Sequence, residues 1–153
     1  MNLKTSTLIT TSLLFATGLA YANTLTVAHV HAGAIIEFEG GWKTHLAGIT
    51  VPDPTTGIGY KAYDFAKRQL EGKVVAVFTC TTDNTSAGIV YGEDGLPFAK
   101  IMFGKAMATD IAAILLEKGY AGVDENCPTE NFDAYKEIER EARRQQAGMW
   151  TGS

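Results

Sequence analysis

The sequence has little cysteine, little basic charge and no long apolar run. Its two cysteines, Cys80 and Cys127, lack the Cys-x-x-Cys spacing of redox and metal-binding pairs. The chain has 13 basic residues against 17 acidic ones, which disfavours nucleic-acid binding unless the few cations gather in one groove. The longest apolar stretch, near the N-terminus, is too short to cross a bilayer as a helix. These shortages disfavour a redox protein, a strongly basic nucleic-acid binder and a membrane-spanning protein.

The N-terminal segment has the three parts of a secretory signal peptide. Lys4 supplies a positive charge, an apolar run extends from Leu8 to Leu19, and Ala20-Tyr21-Ala22 has the small residues of a cleavage site. We therefore predict a signal peptide over residues 1–22 and a single mature domain over residues 23–153. Loss of one lysine leaves 12 (13 − 1) basic against 17 acidic residues, a net charge of −5. The mature chain is expected to be periplasmic or secreted, with no transmembrane segment.

The two cysteines are an even pair in a chain that is expected to reach an oxidising compartment. One disulfide between Cys80 and Cys127 is therefore possible, and two free, buried thiols are the alternative. We favour the disulfide.

Hydrophobic patterning predicts strands, a helix, more strands and then two helices. This order fits an α+β fold in which a five-stranded, OB-fold-like barrel carries three packed helices, since closing a barrel removes exposed strand edges. The predicted strands cover Leu25–Phe38 and Trp42–Ile49, as a hairpin or the start of a meander, then Val74–Cys80 and Phe98–Phe103. The predicted helices cover Tyr60–Glu71, Ala108–Lys118 and a segment from Phe132 that ends before Gly148.

Four segments, in order and at compatible spacing, resemble the staphylococcal nuclease-like (thermonuclease) domains. They are "LAGITVPDP", "AYDFAKRQLEGKVV", "DGLPFAKIMFGKAMATDIAAILLEKGYA" and "EREARRQQAGMW", which match the family's L-x-G-I-D-A-P-E, A-x-x-F-x-x-x-L-x-G-K-x-V, Y-G-R and closing A-R-x-x-x-x-G-L-W patterns. The resemblance covers nearly the whole mature chain. It implies an OB-fold-like barrel, and for intact members calcium-dependent cleavage of phosphodiester bonds in DNA and RNA.

The residues that this chemistry needs are largely replaced. Ala34 and Thr50 stand where the resemblance places two carboxylate ligands of calcium, which takes six to eight oxygens. His45 and Leu96 stand where it places two arginines. Asp53 stands for the family's glutamate, one methylene shorter. We interpret Asp53 as a loop residue that accepts local hydrogen bonds, with a residual catalytic or ligand role as the alternative.

Two further groups of residues are candidates for metal binding. Alternation along a strand places His29 and His31 on one face, with His45 expected nearby, and three histidines could hold Zn²⁺ or Cu²⁺. Ordinary surface histidines are the simpler interpretation. Three acidic residues before Leu96 could supply a displaced metal site, and a solvated acidic loop is the alternative. They are Asp83, Glu93 and Asp94.

The sequence therefore predicts an exported nuclease-fold protein that has no intact catalytic or metal site and needs no cofactor. It is expected to act as a binding or envelope-assembly module for an unknown macromolecule, either protein or nucleic acid. The alternative is a divergent metal-dependent phosphodiesterase that acts on DNA or RNA and uses Ca²⁺. We interpret the basic pairs Lys67-Arg68 and Arg143-Arg144 as solvated helix faces, and Trp42 and Trp150 as residues that fill the core or a barrel end.

Overall fold

The structure is a computed structural model that describes residues 23–82, 88–127 and 132–152. The predicted signal peptide and Asp83 lie outside these residues. Five strands form a closed barrel and three α-helices pack on it, which confirms the predicted α+β fold. The strands are β1 (Asn23–His31), β2 (Ile35–Phe38), β3 (Lys43–Leu46), β4 (Ile49–Thr50), β5 (Val74–Thr79), β6 (Phe98–Phe103), β7 (Thr109–Asp110) and β8 (Gly122–Val123); the helices are α1 (Gly57–Leu70), α2 (Ile111–Glu117) and α3 (Phe132–Arg144).

The barrel follows the order β3-β2-β1-β5-β6, with antiparallel neighbours throughout. A parallel pairing of β3 with β6 closes it, with His45 opposite Phe98 and Leu46 opposite Ala99. Inside the barrel lie Val27, Ile36, Phe38, Leu46, Val75 and Ile101, each at most 2% exposed. Closure therefore brings His45, from the early part of the chain, beside the segment that precedes β6.

The strand predicted from Leu25 to Phe38 is divided into β1 and β2 by a tight turn. Gly33 and Ala34 both adopt positive φ, at 74° and 59°, and the chain reverses so that His31 faces Ile35. The first three strands thus form the meander that the sequence allowed for. Ala-Gly-Ala carries little turn chemistry beyond its one glycine, so the sequence pattern alone does not reveal the break.

Capping side chains set the helix starts. Thr56 accepts a hydrogen bond from the Gly59 N–H at 3.0 Å, so α1 begins at Gly57, three residues before the predicted start. Asp110 accepts one from the Ala112 N–H at 3.0 Å, so α2 begins three residues after its predicted start at Ala108. In the described part of the chain, no helix has the length and hydrophobicity to span a membrane.

A disulfide joins Cys80, just after β5, to Cys127, in the loop after β8. This confirms the predicted pairing. Both residues are buried, at 5% and 3% exposure, in a small apolar cluster with Ala47, Val90 and Phe98. The bridge therefore anchors the loop after β8 to the barrel, next to the turn that follows β3.

Candidate functional site

A cleft of about 350 Å³ opens where the end of β3 meets the segment before β6 and the loop after β8. Six polar or charged side chains line it. They are His45, Thr50, Glu93, Asp94, Asp124 and Asn126.

The turn after β3 forms one wall of the cleft and is held from behind. Gly48 adopts φ of 74°, and its N–H donates to the side-chain oxygen of Asn126 at 2.8 Å. The Asn126 amide also donates to the carbonyl of Ile49 at 3.4 Å. The ring of Tyr135 packs so closely on Gly48 that a β-carbon there would lie 2.9 Å from the ring. The glycine of "LAGITVPDP" is therefore required both by its backbone conformation and by this close approach.

His45 and Asp94 form a close polar contact in the cleft. The His45 Nε2 lies 2.8 Å and 3.0 Å from the two carboxylate oxygens of Asp94. The Leu96 N–H donates to the same carboxylate at 3.1 Å. These contacts, the one with His45 above all, lower the pKa of Asp94. Asp94 is therefore held as an anion and already has two partners.

The structure brings around this cleft three of the five positions that the resemblance predicts to be replaced. His45 and Thr50 line it. Ala34 adjoins it, because Gly33 lines the cleft and the Ala34 carbonyl accepts from the Leu46 N–H at 3.1 Å. Leu96 does not line this cleft but a second pocket, on the other side of the segment before β6.

Asp53 is not among the residues that line the cleft. Its carboxylate accepts hydrogen bonds from the backbone N–H and the hydroxyl of Thr55, at 2.8 Å and 2.5 Å, and these bonds lower the pKa of Asp53. Its carbonyl accepts from the Thr56 N–H at 2.9 Å. Asp53 thus organises the turn that leads into α1, and the absence of a catalytic role remains a prediction.

The structure does not bring the three predicted histidines together. The rings of His29 and His31 lie 6.3 Å apart, His31 contacts Glu37 at 2.6 Å, and His45 is engaged by Asp94. Of the three acidic residues proposed for a displaced site, Glu93 and Asp94 line the cleft and the third lies outside the described residues. Within residues 23–82, 88–127 and 132–152, no three His, Cys, Asp or Glu side chains are placed to hold a metal ion.

Sequence reasoning missed Asp124 and Asn126, which form the far wall of the cleft. No motif marks either residue, and Asn126 reaches Gly48 from 78 residues away in the sequence. The one available signal was proximity to Cys127, since the predicted disulfide ties this loop to the barrel.

The basic pairs and tryptophans lie away from the cleft. Arg68 pairs with Asp64 at 2.9 Å and Arg144 with Glu141 at 2.6 Å, along exposed helix faces. Arg143 lies over the ring of Trp150, 3.6 Å from its centroid. Trp42 stacks on a core phenylalanine but is 38% exposed, so it does not fill the core.

Residues 43–152 match the model of a family described as staphylococcal nuclease homologue. The match runs from β3 through α3 and so includes most of the cleft. No curated protein matches the chain.

Proposed function

The chain belongs to the staphylococcal nuclease homologue family, and from this premise we propose that it is an exported binding module without nuclease activity. The charge of the cleft is the observation that carries the proposal. Glu93, Asp94 and Asp124 line it, and no described lysine or arginine does. A groove that holds a nucleic acid must offer cations to its phosphates, whereas this one presents carboxylates.

The residues at the family's calcium positions do not fit the metal. Ala34 has no side-chain oxygen, and Thr50 offers one neutral hydroxyl where a carboxylate is expected. Asp94 is engaged by His45 and by the Leu96 N–H. Calcium needs about six to eight oxygens, and the described residues bring no group of three ligating side chains together.

The two arginine positions also argue against phosphoryl-transfer chemistry. An arginine that stabilises the transition state is worth on the order of 10³ to 10⁵ in rate, about 4 to 7 kcal/mol. His45 contacts Asp94, so its imidazole faces a carboxylate rather than a substrate phosphate. Leu96 carries no charge and lines the neighbouring pocket. Neither residue replaces the missing charge stabilisation.

Two observations support export and a protein partner. The Cys80–Cys127 disulfide is typical of proteins in oxidising compartments, and it accompanies the signal-peptide pattern of residues 1–22. The net charge of −5 predicted for the mature chain opposes binding to a polyanion. We therefore propose a protein, rather than a nucleic acid, as the partner, with envelope assembly as the process in which it takes part.

A divergent phosphodiesterase remains the second candidate, because the His45–Asp94 pair supplies one element of catalysis. A carboxylate that holds an imidazole in place can prepare it for proton transfer. The pair would still need a group to neutralise the phosphate, and none lines the cleft among the described residues.

A degradation assay separates the two candidates. Protein purified after expression of residues 1–153 is incubated with plasmid DNA and with RNA, in Ca²⁺ and in chelator. We expect no hydrolysis above that of the His45→Gln variant, which removes the imidazole. Chelator-sensitive hydrolysis that disappears in the His45→Gln variant would instead establish a working nuclease and overturn the proposal.

Export has its own test. The protein recovered from the periplasmic fraction or the medium of a bacterial host is expected to begin at Asn23, which intact mass and N-terminal sequencing determine. Recovery of the complete chain from the cytoplasm alone would contradict export without affecting the argument about the cleft.

A further inference from the structure

A second pocket, of about 380 Å³, has aromatic and aliphatic walls. Trp42 and Tyr91 line it and are 38% and 57% exposed, which makes them two of the most exposed large apolar side chains in the described residues. Ile89, Leu96 and Pro97 supply further apolar walls. Exposed aromatic side chains that converge on one pocket are characteristic of binding surfaces.

The Trp42 ring and the backbone at Tyr91 are held in place before any ligand arrives. Trp42 stacks on the fully buried Phe38, with ring centroids 5.0 Å apart and planes 21° apart. Tyr91 bridges to Pro97 across a hairpin, and the Gly92 N–H donates to the Leu96 carbonyl at 2.8 Å. Binding at this pocket therefore needs little ordering of the Trp42 ring or of the hairpin backbone.

The hairpin of residues 91–97 separates this pocket from the acidic cleft. Tyr91, Leu96 and Pro97 line the aromatic pocket, whereas Glu93 and Asp94, at the hairpin tip, line the cleft. We propose that these two adjacent surfaces together bind a proline-rich protein segment that carries a lysine or arginine close to its prolines. This inference rests on the proposed function, because it identifies the chemistry of the protein partner.

The aromatic pocket suits prolines better than sugars or nucleotides. Polyproline II segments dock in aromatic-lined grooves because they are already extended and lose little entropy. The pocket's polar side-chain groups are few, mainly the Thr79 and Tyr91 hydroxyls and the Trp42 N–H, which suits peptide carbonyls rather than the many hydroxyls of a sugar. Its one described cation, Lys43, lies 3.3 Å from Glu37, so it is partly neutralised and attracts a phosphate poorly.

The acidic cleft supplies the charge complementarity for the basic residue. Glu93 is exposed and makes no ion pair with any residue that the structure describes. Glu93 lies in the tight turn of the hairpin, two positions from Tyr91, so their Cα atoms are at most about 7 Å apart. A polyproline II segment advances about 3.1 Å per residue. A cation two to four residues from the prolines therefore reaches Glu93.

Tryptophan fluorescence offers a direct test, because the chain has only two tryptophans. In a Trp150→Phe background, Trp42 alone reports binding. The probe is a capped peptide of six prolines followed by two arginines, and its matched control ends in two glutamates. We expect the arginine peptide to shift the Trp42 emission and to bind at least tenfold more tightly than the glutamate peptide. Calorimetry with the unmodified protein repeats the comparison without the Trp150 substitution.

Two single variants locate the contacts. Tyr91→Ala is expected to weaken the arginine peptide about tenfold, since truncating a central aromatic anchor commonly has that effect. Glu93→Gln is expected to reduce the preference for arginine over glutamate while leaving the proline contacts intact. Far-UV circular dichroism confirms that each variant is folded.

Equal binding of the two peptides, or no effect of Tyr91→Ala, would overturn the inference. Oligothymidylate that shifts the Trp42 emission more strongly than the arginine peptide would also overturn it, in favour of a nucleic acid. If the protein lacks nuclease activity and still ignores both peptides, this inference fails while the proposed function stands. If it degrades nucleic acid in a chelator-sensitive way, the proposed function fails first.

Discussion

The imidazole of His45 lies 2.8 Å from the carboxylate of Asp94, across 49 positions of sequence. The contact joins β3 to the tip of the 91–97 hairpin. It therefore fixes the hairpin whose two sides line the acidic cleft and the aromatic pocket. The His45–Asp94 pair is therefore a structural link between the two surfaces.

This link makes stability depend on pH in a defined direction. The His45 hydrogen bond lowers the pKa of Asp94, so the stabilisation is present above the unfolded-state pKa, about 3.9. It is lost as the pH falls through the lower folded-state pKa. We expect Asp94→Asn to reduce the denaturation midpoint at neutral pH and to have no effect in strong acid. Urea denaturation of the wild-type protein and of Asp94→Asn, from strong acid to neutral pH, measures this dependence. A difference in midpoint that does not change with pH would contradict the prediction.

Two glycines in the first turn of α1 provide a matched pair. A β-carbon at Gly59 would lie 2.0 Å from the Asp53 carbonyl oxygen, whereas one at Gly57 would meet nothing within 4 Å. Gly59→Ala is therefore expected to destabilise the fold by at least about 2 kcal/mol, through forced backbone movement. Gly57→Ala should be neutral or stabilising by up to about 1 kcal/mol, from helix propensity. Chemical denaturation of both variants measures the difference, and equal losses would show that α1 does not pack on the Pro52-Asp53 segment.

Tyr135 links α3 to the start of α2. Its hydroxyl donates to Asp110 at 2.6 Å, and burial together with the charge of Asp110 raises the pKa of Tyr135. Tyr135→Phe is expected to lower the free energy of unfolding by about 1.5 to 3 kcal/mol, as for hydrogen bonds to charged groups. Tyr60, which is 58% exposed, supplies the control, since Tyr60→Phe should change stability by less than about 0.5 kcal/mol. Urea denaturation midpoints, compared at an unchanged denaturant slope, give the change in unfolding free energy of each variant. Similar losses of stability in the two variants would exclude a special role for Tyr135.

The disulfide is expected to contribute strongly to stability. Its cysteines are 47 positions apart, and a loop of this length corresponds to about 4 kcal/mol by the chain-entropy relation. A Cys80→Ala, Cys127→Ala double variant should lose about that amount. Alanine avoids placing a hydroxyl in the apolar cluster of Ala47, Val90 and Phe98. Wild-type protein in reductant is the matched control, and two free thiols in the native protein by mass spectrometry would contradict the pairing.

Local patterns predicted most of the fold because their signals are short-range. Glu139 and Arg143 are four positions apart, the spacing of a helical ion pair, and the two side chains lie 3.4 Å apart. The pairing of the two cysteines was also predicted. The break between β1 and β2 was missed, because the turn at Gly33 and Ala34 has no side chain that signals it.

The cleft was less predictable because its walls come from distant parts of the chain. Asp124 and Asn126 reach it only through the β4–β8 pairing and the disulfide. Whether Leu96 faces the acidic cleft or the aromatic pocket depends on the register of the 91–97 hairpin. A shift of one residue would move its side chain to the other face. A motif match aligns residues along the sequence, whereas strand register and barrel closure decide which of these residues lie together in the folded protein.

Placing carboxylates at Ala34 and Thr50 tests whether the cleft has the metal-binding geometry that the resemblance predicts. We expect Ala34→Asp with Thr50→Asp to create Ca²⁺ binding that calorimetry detects at millimolar metal. Ala34 adopts φ of 59°, a conformation that aspartate tolerates better than alanine, so this change should not strain the turn. Thr50 is exposed and lines the cleft, so a carboxylate there faces the same space. Calcium accepts irregular coordination at about 2.3 to 2.6 Å, which makes binding less demanding than catalysis.

The matched control is Ala34→Asn with Thr50→Asn, which keeps size and shape but adds no charge. This control should show no heat of Ca²⁺ binding by calorimetry, so any heat measured with the aspartate variant comes from the new carboxylates. Adding His45→Arg and Leu96→Arg is expected to restore at most trace nuclease activity, because Leu96 lines the neighbouring pocket and a misplacement of about 1 Å can lose a hundredfold in rate. If the aspartate pair is folded and still binds no Ca²⁺, the assignment of Ala34 and Thr50 to the former ligand positions is wrong. The case for a lost nuclease site would then rest on the charge of the cleft alone.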